Sequence, residues 1–235
     1  MPIRAVTLDV YSALFDTVSG LTAAAAGVLR GREPGDPRAS AGDARALARQ
    51  WRQRHAESLL ILNALDREPA RNRDAIEIAA RFVLRELRPP LTASELGHLV
   101  AAWERLPPWP EAPDVLRALR ARPLILASLS NGDEDMQRRL LATLPVHVDH
   151  VISTEGGRFK PHPSVYANAL AALGVGAGEV LHVAGSPTDA MGATASGITT
   201  LWVNRTGEPV LDPRYAPAFE SRDLHRVVPV LDSLS

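Results

Sequence analysis

The feature that most constrains this chain is a short apolar run ending in a carboxylate. Ile3-Arg4-Ala5-Val6-Thr7-Leu8 leads to Asp9, and Val10-Tyr11-Ser12-Ala13-Leu14-Phe15-Asp16 follows at once. A run of this length, apolar and bounded by a turn, reads as a strand buried on both faces, as in parallel sheets. An acid at its carboxyl end faces the crevice where open α/β sheets bind their ligands. Three later segments repeat the arrangement. Leu124-Ile125-Leu126-Ala127-Ser128-Leu129-Ser130-Asn131-Gly132, Phe159-Lys160-Pro161 and Val183-Ala184-Gly185-Ser186-Pro187-Thr188-Asp189 each put polar side chains at or just past a strand end.

The rest of the chain sorts by period. Helical patterns cover Ser19 to Arg30, Ala41 to Leu65 (Ala44, Leu47, Ala48 and Trp51 on one face) and Asp74 to Leu87 (Ile76, Ala79, Ala80, Val83 and Leu84). Gly31-Arg32-Glu33-Pro34-Gly35-Asp36-Pro37-Arg38 reads as a Gly/Pro-rich loop, expected to be the most mobile segment. Thr92 opens a further helix with Glu95 completing a capping box, and Leu106-Pro107-Pro108-Trp109-Pro110 cannot continue it. From Glu111 onward helices at Asp114–Ala121, Asp133–Leu144, Pro163–Leu173 and Thr188–Ser196 alternate with strands at Leu124–Leu129, His150–Ser153, Val180–Ala184 and Thr199–Val203. Such alternation implies right-handed crossovers and a parallel sheet covered on both faces. The fold class is therefore α/β, with a sheet core built from residues 1–16 and 110–235. An all-α insert, residues 17–109, is expected to cap the carboxyl edge.

Composition narrows the function classes. The 235 residues are 46% apolar, enough for one large domain or an α/β domain with an insertion. Twenty-six basic against 27 acidic residues give a net charge of −1, which favours neither nucleic acid nor an anionic membrane. The apolar stretch Leu21 to Ala26 is too short and too alanine-rich to span a bilayer. The start Met1-Pro2-Ile3-Arg4 runs straight into the first strand, so no signal peptide is expected. The chain has no cysteine, which excludes disulfides, thiolate nucleophiles and Cys-ligated zinc and fits a reducing compartment. A soluble, cytoplasmic protein is expected.

Each polar strand-end residue has an ordinary reading. Asp9 could cap a turn, Ser130 and Asn131 could be turn chemistry, Lys160 a solvated loop lysine, and Asp189 an acid in a helix's first turn. His55, His162 and His182 receive no catalytic role, and His182, inside a buried strand, reads as core. All four signals in one order on one sheet mean more than any of them alone. That order resembles the haloacid dehalogenase superfamily, whose motifs are a strand-end Asp, a strand-end Ser or Thr, a Lys, and a strand-end acidic loop. The resemblance spans essentially the whole chain and implies a Rossmann-like core with a helical cap inserted after the first motif.

Within that superfamily the phosphatases carry a second Asp two positions after the nucleophile and a metal-binding acid in the fourth motif; Tyr11 and Gly185 stand at those positions here. The chain instead resembles the type II, L-2-haloacid dehalogenases. The similar segments are Asp9-Val10-Tyr11-Ser12-Ala13-Leu14-Phe15-Asp16, Ser130-Asn131-Gly132, Lys160-Pro161 with Val165-Tyr166, Trp51-Arg52-Gln53, and Trp202-Val203-Asn204-Arg205-Thr206-Gly207.

The resemblance implies that Asp9 attacks the halogen-bearing carbon, with Arg52 and Asn131 holding the departing halide. Lys160 keeps Asp9 ionised, Ser130 orients the substrate carboxylate, Asp189 assists the hydrolytic water, and Tyr166 helps hold Lys160. Tyr11 and Ser186 complete the substrate side. No metal or other cofactor is implied. The partner is a small carboxylic acid, with neither nucleic acid nor membrane, and a homodimer is left open.

Ala13, Ala184 and Ser186 depart from the branch at positions that would supply polar contacts. Each lost hydrogen bond to a charged group is worth about 1.5–3 kcal/mol, roughly one to two decades of rate. Two alternatives stay open at this point: a Mg²⁺-dependent phosphatase of the same fold, and a catalytically silent small-anion binding protein.

Overall fold

The computed structural model describes residues 2–30, 41–65, 71–86 and 90–234; the loop read at Gly31 to Arg38, and Leu87, lie outside them. The chain divides into two compact units, Asp16–Pro107 and Met1–Phe15 with Pro108–Ser235. Among the described residues no helix is long and apolar enough to cross a membrane.

The unit Asp16–Pro107 is all-α: α1 (Thr17–Leu29), α2 (Ala41–Leu65), α3 (Asn72–Val83) and α4 (Ala93–Ala102). Asp16 accepts from the Ser19 amide at 3.0 Å and so starts α1 two residues ahead of the apolar pattern. The Thr92–Glu95 capping box forms as read, with the Glu95 amide 3.2 Å from Thr92 Oγ1 and the Thr92 amide 2.8 Å from Glu95 Oε2. Alanines 44, 48, 79 and 80 are buried and let the helices approach closely around Trp51, Ile76, Leu99 and Trp103. The Trp51 indole donates to the Ile76 carbonyl at 3.0 Å, tying α2 to α3, and its ring meets Trp103 edge-on at 5.8 Å. His55, one turn on from Trp51, lies against Trp103 at 4.6 Å with Nε2 2.8 Å from Asn72 Oδ1.

The other unit holds a six-stranded parallel sheet in the order β3-β2-β1-β4-β5-β6. Its strands are β1 (Ala5–Leu8), β2 (Ile125–Ser130), β3 (His150–Ser153), β4 (Val180–Ala184), β5 (Thr199–Val203) and β6 (Phe219–Ser221). The helices are α5 (Ala112–Arg120), α6 (Glu134–Leu141), α7 (Pro163–Leu173), α8 (Pro187–Ala195) and α9 (Val227–Ser233). Strand order reverses direction at β1, the switch point where such sheets open a ligand crevice. Leu8 registers with Ser128 on β2 and Val183 on β4, so Asp9 emerges one residue past the paired edge. Ala5, Ala127, Leu129, Val165, Tyr166, Ala169 and Ala193 pack α7 and α8 onto this central part of the sheet.

Several boundaries differ from the sequence reading by a few residues. Helices α5 and α8 begin earlier because Pro113 and Pro187 fit the first turn, where no amide donor is needed. Strand β2 extends to Ser130, and α6 stops at Leu141. Strand β6 has three residues, too few to show a period, and α9 carries Pro229 in its first turn.

Burial depresses the His55 pKa from 6.5 to about 4, the Asn72 hydrogen bond partly opposing it and the Arg52 charge adding to it. The unfolded chain thus binds this proton more tightly, and stability falls as pH drops from 6.5 towards 4, by about 3 kcal/mol in all. Urea melts should show the stability of His55→Gln relative to wild type improving by roughly that amount across this window. A difference independent of pH would contradict the assignment.

Candidate active site

The site is built at the carboxyl ends of β1, β2 and β4. After Leu8 the chain makes a π-helical turn, Val10–Leu14, with Asp9 in extended backbone ahead of it. Asp9 Oδ2 accepts from the Ser12 amide at 3.1 Å and the Ser12 hydroxyl at 2.6 Å. The capping reading and the chemical reading of Asp9 therefore meet in one buried side chain. The turn is braced from outside. Trp109 donates its amide to the Leu14 carbonyl at 2.9 Å and its indole to the Ser12 carbonyl at 3.3 Å. The Arg205 guanidinium lies 3.8 Å over the Trp109 ring and pairs with Glu111 at 2.7 Å.

Two glycines make room for this turn. A Cβ on Gly132 would stand 2.6 Å from the Tyr11 ring, so the glycine after Ser130-Asn131 is where Tyr11 packs. A Cβ on Gly185 would stand 2.3 Å from the Ala13 amide nitrogen and 2.4 Å from the Ser12 carbonyl carbon. No side chain of any kind fits at position 185 while the turn keeps this path.

Ser130 closes β2 and donates its hydroxyl to Asp9 Oδ1 at 2.9 Å, while Ser130 Oγ accepts from the Val10 amide at 3.3 Å. Lys160, which precedes α7 and joins Pro161 by a cis peptide, is buried beside it. Its ammonium donates to Asp9 Oδ1 at 3.2 Å, to Asp189 Oδ2 at 2.6 Å and to the Leu129 carbonyl at 2.7 Å, which uses all three of its protons. Asn131 clamps the lysine's backbone from both sides: its Nδ2 donates to the Lys160 carbonyl at 3.1 Å and its Oδ1 accepts from the Lys160 amide at 2.7 Å.

Asp189 lies in the first turn of α8, whose N-cap is Ser186; the Ser186 hydroxyl accepts from the Asp189 amide at 3.3 Å. The Asp189 carboxylate turns inward to Lys160 rather than capping the helix. Tyr166 donates its hydroxyl to Asp189 Oδ1 at 2.9 Å, so its link to Lys160 runs through the carboxylate that both contact. His162 serves as the N-cap of α7, accepting from the Ser164 amide at 3.3 Å. Arg52 lies half-buried on α2, with its charge felt at His55.

Sequence reasoning missed Ser12, Thr7 and His182. Ser12 entered only as part of the first-motif segment, yet its hydroxyl reaches Asp9 from the position next to Ala13. Thr7 Oγ1 and His182 Nδ1 are 2.8 Å apart across the β1–β4 pair, and His182 Nε2 is 3.1 Å from Asp189 Oδ2. The available signal was one polar residue inside each of two fully buried strands.

Electrostatics follows from this geometry. Burial opposes the Lys160 charge, but the Asp189 and Asp9 carboxylates and their hydrogen bonds outweigh it and raise its pKa. Burial likewise opposes the Asp189 charge, while Lys160 and His182 outweigh it and hold the carboxyl below its usual range. Burial, then the neighbouring Asp189, raises the Tyr166 phenol, so it remains a donor. The arrangement presents one carboxylate at a strand end, a buried cation paired with it, and a second carboxylate, held ionised, on the cation's far side.

The sequence profile of haloacid dehalogenase-like hydrolases matches residues 3–197. The chain belongs to this family. Among similar members, the (S)-2-haloacid dehalogenase of Pseudomonas sp. (strain YL) is 32% identical over 234 residues, covering 98% of this chain and 95% of that one. The structure of L-2-haloacid dehalogenase from Xanthobacter autotrophicus superposes with a TM-score of 0.84 at 28% identity, covering 99% of this chain and 100% of that one. The same enzyme with chloropropionic acid covalently bound gives 0.83, with the same identity and coverage. A phosphoserine phosphatase of Thermus thermophilus is 40% identical over 127 residues, about half of either chain.

In this haloacid dehalogenase-like hydrolase, removing Lys160 would leave two buried carboxylates without their shared cation. Lys160→Met should lose about 3–5 kcal/mol at neutral pH in urea melts. Wild-type stability due to the depressed Asp189 is present above the ordinary carboxylate range and lost below it, so the gap should narrow on acidification. A gap that is small at pH 7 or widens in acid would contradict this role.

Proposed function

We propose that this chain is a hydrolytic (S)-2-haloacid dehalogenase working through an aspartyl ester on Asp9. The observation that carries the reading is the buried row Asp9–Lys160–Asp189, in which one cation contacts two carboxylates. The near-full-length likeness to curated 2-haloacid dehalogenases supplies the substrate class.

The steps follow from the residues present. An Asp9 oxygen attacks the halogen-bearing carbon opposite the carbon–halogen bond; a carbon–oxygen bond forms and halide leaves with the bonding pair. Lys160 keeps the attacking carboxylate ionised, Ser130 is assigned to orienting Asp9, to which its hydroxyl donates, instead of the substrate carboxylate, and Tyr11 and Ser186 border the substrate. Arg52 and Asn131 are assigned to the departing halide. Asn131 has a second role in holding the Lys160 backbone, and one Nδ2 proton is left over from that clamp. Water then attacks the ester carbonyl of Asp9, giving a proton to Asp189; the bond from the carbonyl carbon to the substrate oxygen breaks, and that oxygen takes the proton from Asp189 and leaves as the 2-hydroxy acid. The absence of cysteine supports a cytoplasmic setting, and exposed Ile78 and Phe82 on α3 support a homodimer.

A phosphatase reading has one observation in its favour, the half-length similarity to phosphoserine phosphatase. The residues here do not fit the metal that reading needs. Tyr11 replaces the second Asp, and position 185 cannot carry a carboxylate because even a Cβ would overlap the Ser12–Ala13 backbone. Gly185→Asp should therefore lower stability by about 1–3 kcal/mol and gain no Mg²⁺-dependent hydrolysis of p-nitrophenyl phosphate.

The direct test is halide release from (S)-2-chloropropionate with and without EDTA, with the product resolved on a chiral column. Attack at carbon inverts it once, and hydrolysis at the ester carbonyl leaves it untouched, so (R)-lactate should form at the same rate in both conditions. Retained configuration, or metal-dependent phosphate release without dehalogenation, would overturn the proposal. Arg52→Ala should lower kcat by roughly one to two decades with little change in melting temperature, and Lys should rescue poorly. Wild-type turnover in Arg52→Ala would remove this residue from the halide site.

A further inference from the structure

We propose that His182 is a positioning residue for ester hydrolysis, aligning Asp189 through a hydrogen bond from Nε2 while Thr7 holds the other ring nitrogen. The proposal rests on the dehalogenase reading above and adds to it a residue of β4 that no step yet uses. His182 is fully buried and pairs in register with Thr7, so the two side chains share one face of the sheet. Its Nε2 is 3.1 Å from Asp189 Oδ2 and its Nδ1 2.8 Å from Thr7 Oγ1. An ionised carboxylate can only accept, so Nε2 carries the proton. In the neutral ring Nδ1 then accepts from the Thr7 hydroxyl.

Counting lone pairs shows what this achieves. Lys160 and His182 occupy both positions on Asp189 Oδ2, and Tyr166 occupies one on Oδ1. One position on Oδ1 is left to receive a proton from water. Without His182, Oδ2 regains an open position and the carboxylate can rotate, so the proton acceptor is no longer in one place. Lys160 also holds Asp9, so the cation cannot fix Asp189 alone. Alkylation of Asp9 does not involve Asp189 and should proceed unchanged; only breakdown of the ester depends on it.

The test separates the two half-reactions by rapid quench with (S)-2-chloropropionate, reading halide and the intact mass of the enzyme. In wild type the ester forms and decays. His182→Phe should keep the wild-type halide burst while ester breakdown slows roughly ten- to a hundredfold and the ester accumulates. His182→Gln, which retains a donor, should recover most of the loss. His182→Asn, too short to reach Oδ2, takes the place of the Phe variant if that one does not fold.

The pH profile adds a readout that simple loosening of the core would not move. The groups facing Asp189 are Lys160 on the loop before α7, Tyr166 on α7, His182 on β4 and Asp9 after β1. Loss of the His182 donor should shift the acid limb of ester breakdown to higher pH. Burst and breakdown falling together, breakdown unchanged in His182→Phe, or no rescue by Gln would overturn the proposal while leaving the dehalogenase reading intact. A wild-type enzyme that neither releases halide nor gains the ester mass would overturn both.

Discussion

The structure turns on one buried ammonium. Lys160 donates each of its three protons to a fixed acceptor, two of them carboxylates that would otherwise be isolated from water. Burying such charges is costly unless they are paired and hydrogen-bonded, and here the partners are supplied by the ends of β1 and β2 and the first turn of α8. That single cation lets two carboxylates lie buried side by side, as the proposed division into nucleophile and proton acceptor requires.

Much of the rest of the core serves to hold that row in place. The parallel register brings Asp9 level with the ends of β2 and β4, and Ser130 closes the first gap. Asn131 grips the lysine's backbone rather than its side chain, so the position of the ammonium is set by two hydrogen bonds outside the row. On the opposite flank the π-helical turn wraps Asp9 with Ser12, while Trp109 and Arg205 support the turn from behind. Gly185 is the geometric consequence: the turn passes so close that β4 cannot be followed by a side chain, which excludes the carboxylate a metal-using relative would place there.

The sheet, its helices and the principal site residues were legible because each leaves a local mark. Strands His150–Ser153, Val180–Ala184 and Thr199–Val203 and helix Pro163–Leu173 carry their period and their stops within their own residues. Asp9, Ser130, Lys160 and Asp189 follow strand ends, where polarity after an apolar run is conspicuous. What could not be read is what depends on pairing across the sheet. Thr7 and His182 are ordinary residues of two strands until register sets them side by side, and Tyr166 chooses Asp189 over Lys160 through the packing of α7 on α8. Ser12 was hidden for the opposite reason: a departure from the family pattern looked like a loss, although the hydroxyl missing at Ala13 is supplied one residue earlier.

The claim on which all of this depends is that Asp9 itself bonds to substrate carbon. A single turnover in ¹⁸O-water, with enzyme in excess over (S)-2-chloropropionate, tests it most directly. Hydrolysis of an aspartyl ester at its carbonyl must leave one water oxygen in Asp9 while the first hydroxy acid released carries none. Peptide mass spectra should therefore show a two-dalton gain confined to the Asp9 peptide, with unlabelled lactate. Label in the lactate and none in Asp9 would mean that water attacks carbon directly, and the role assigned to the buried row would be wrong.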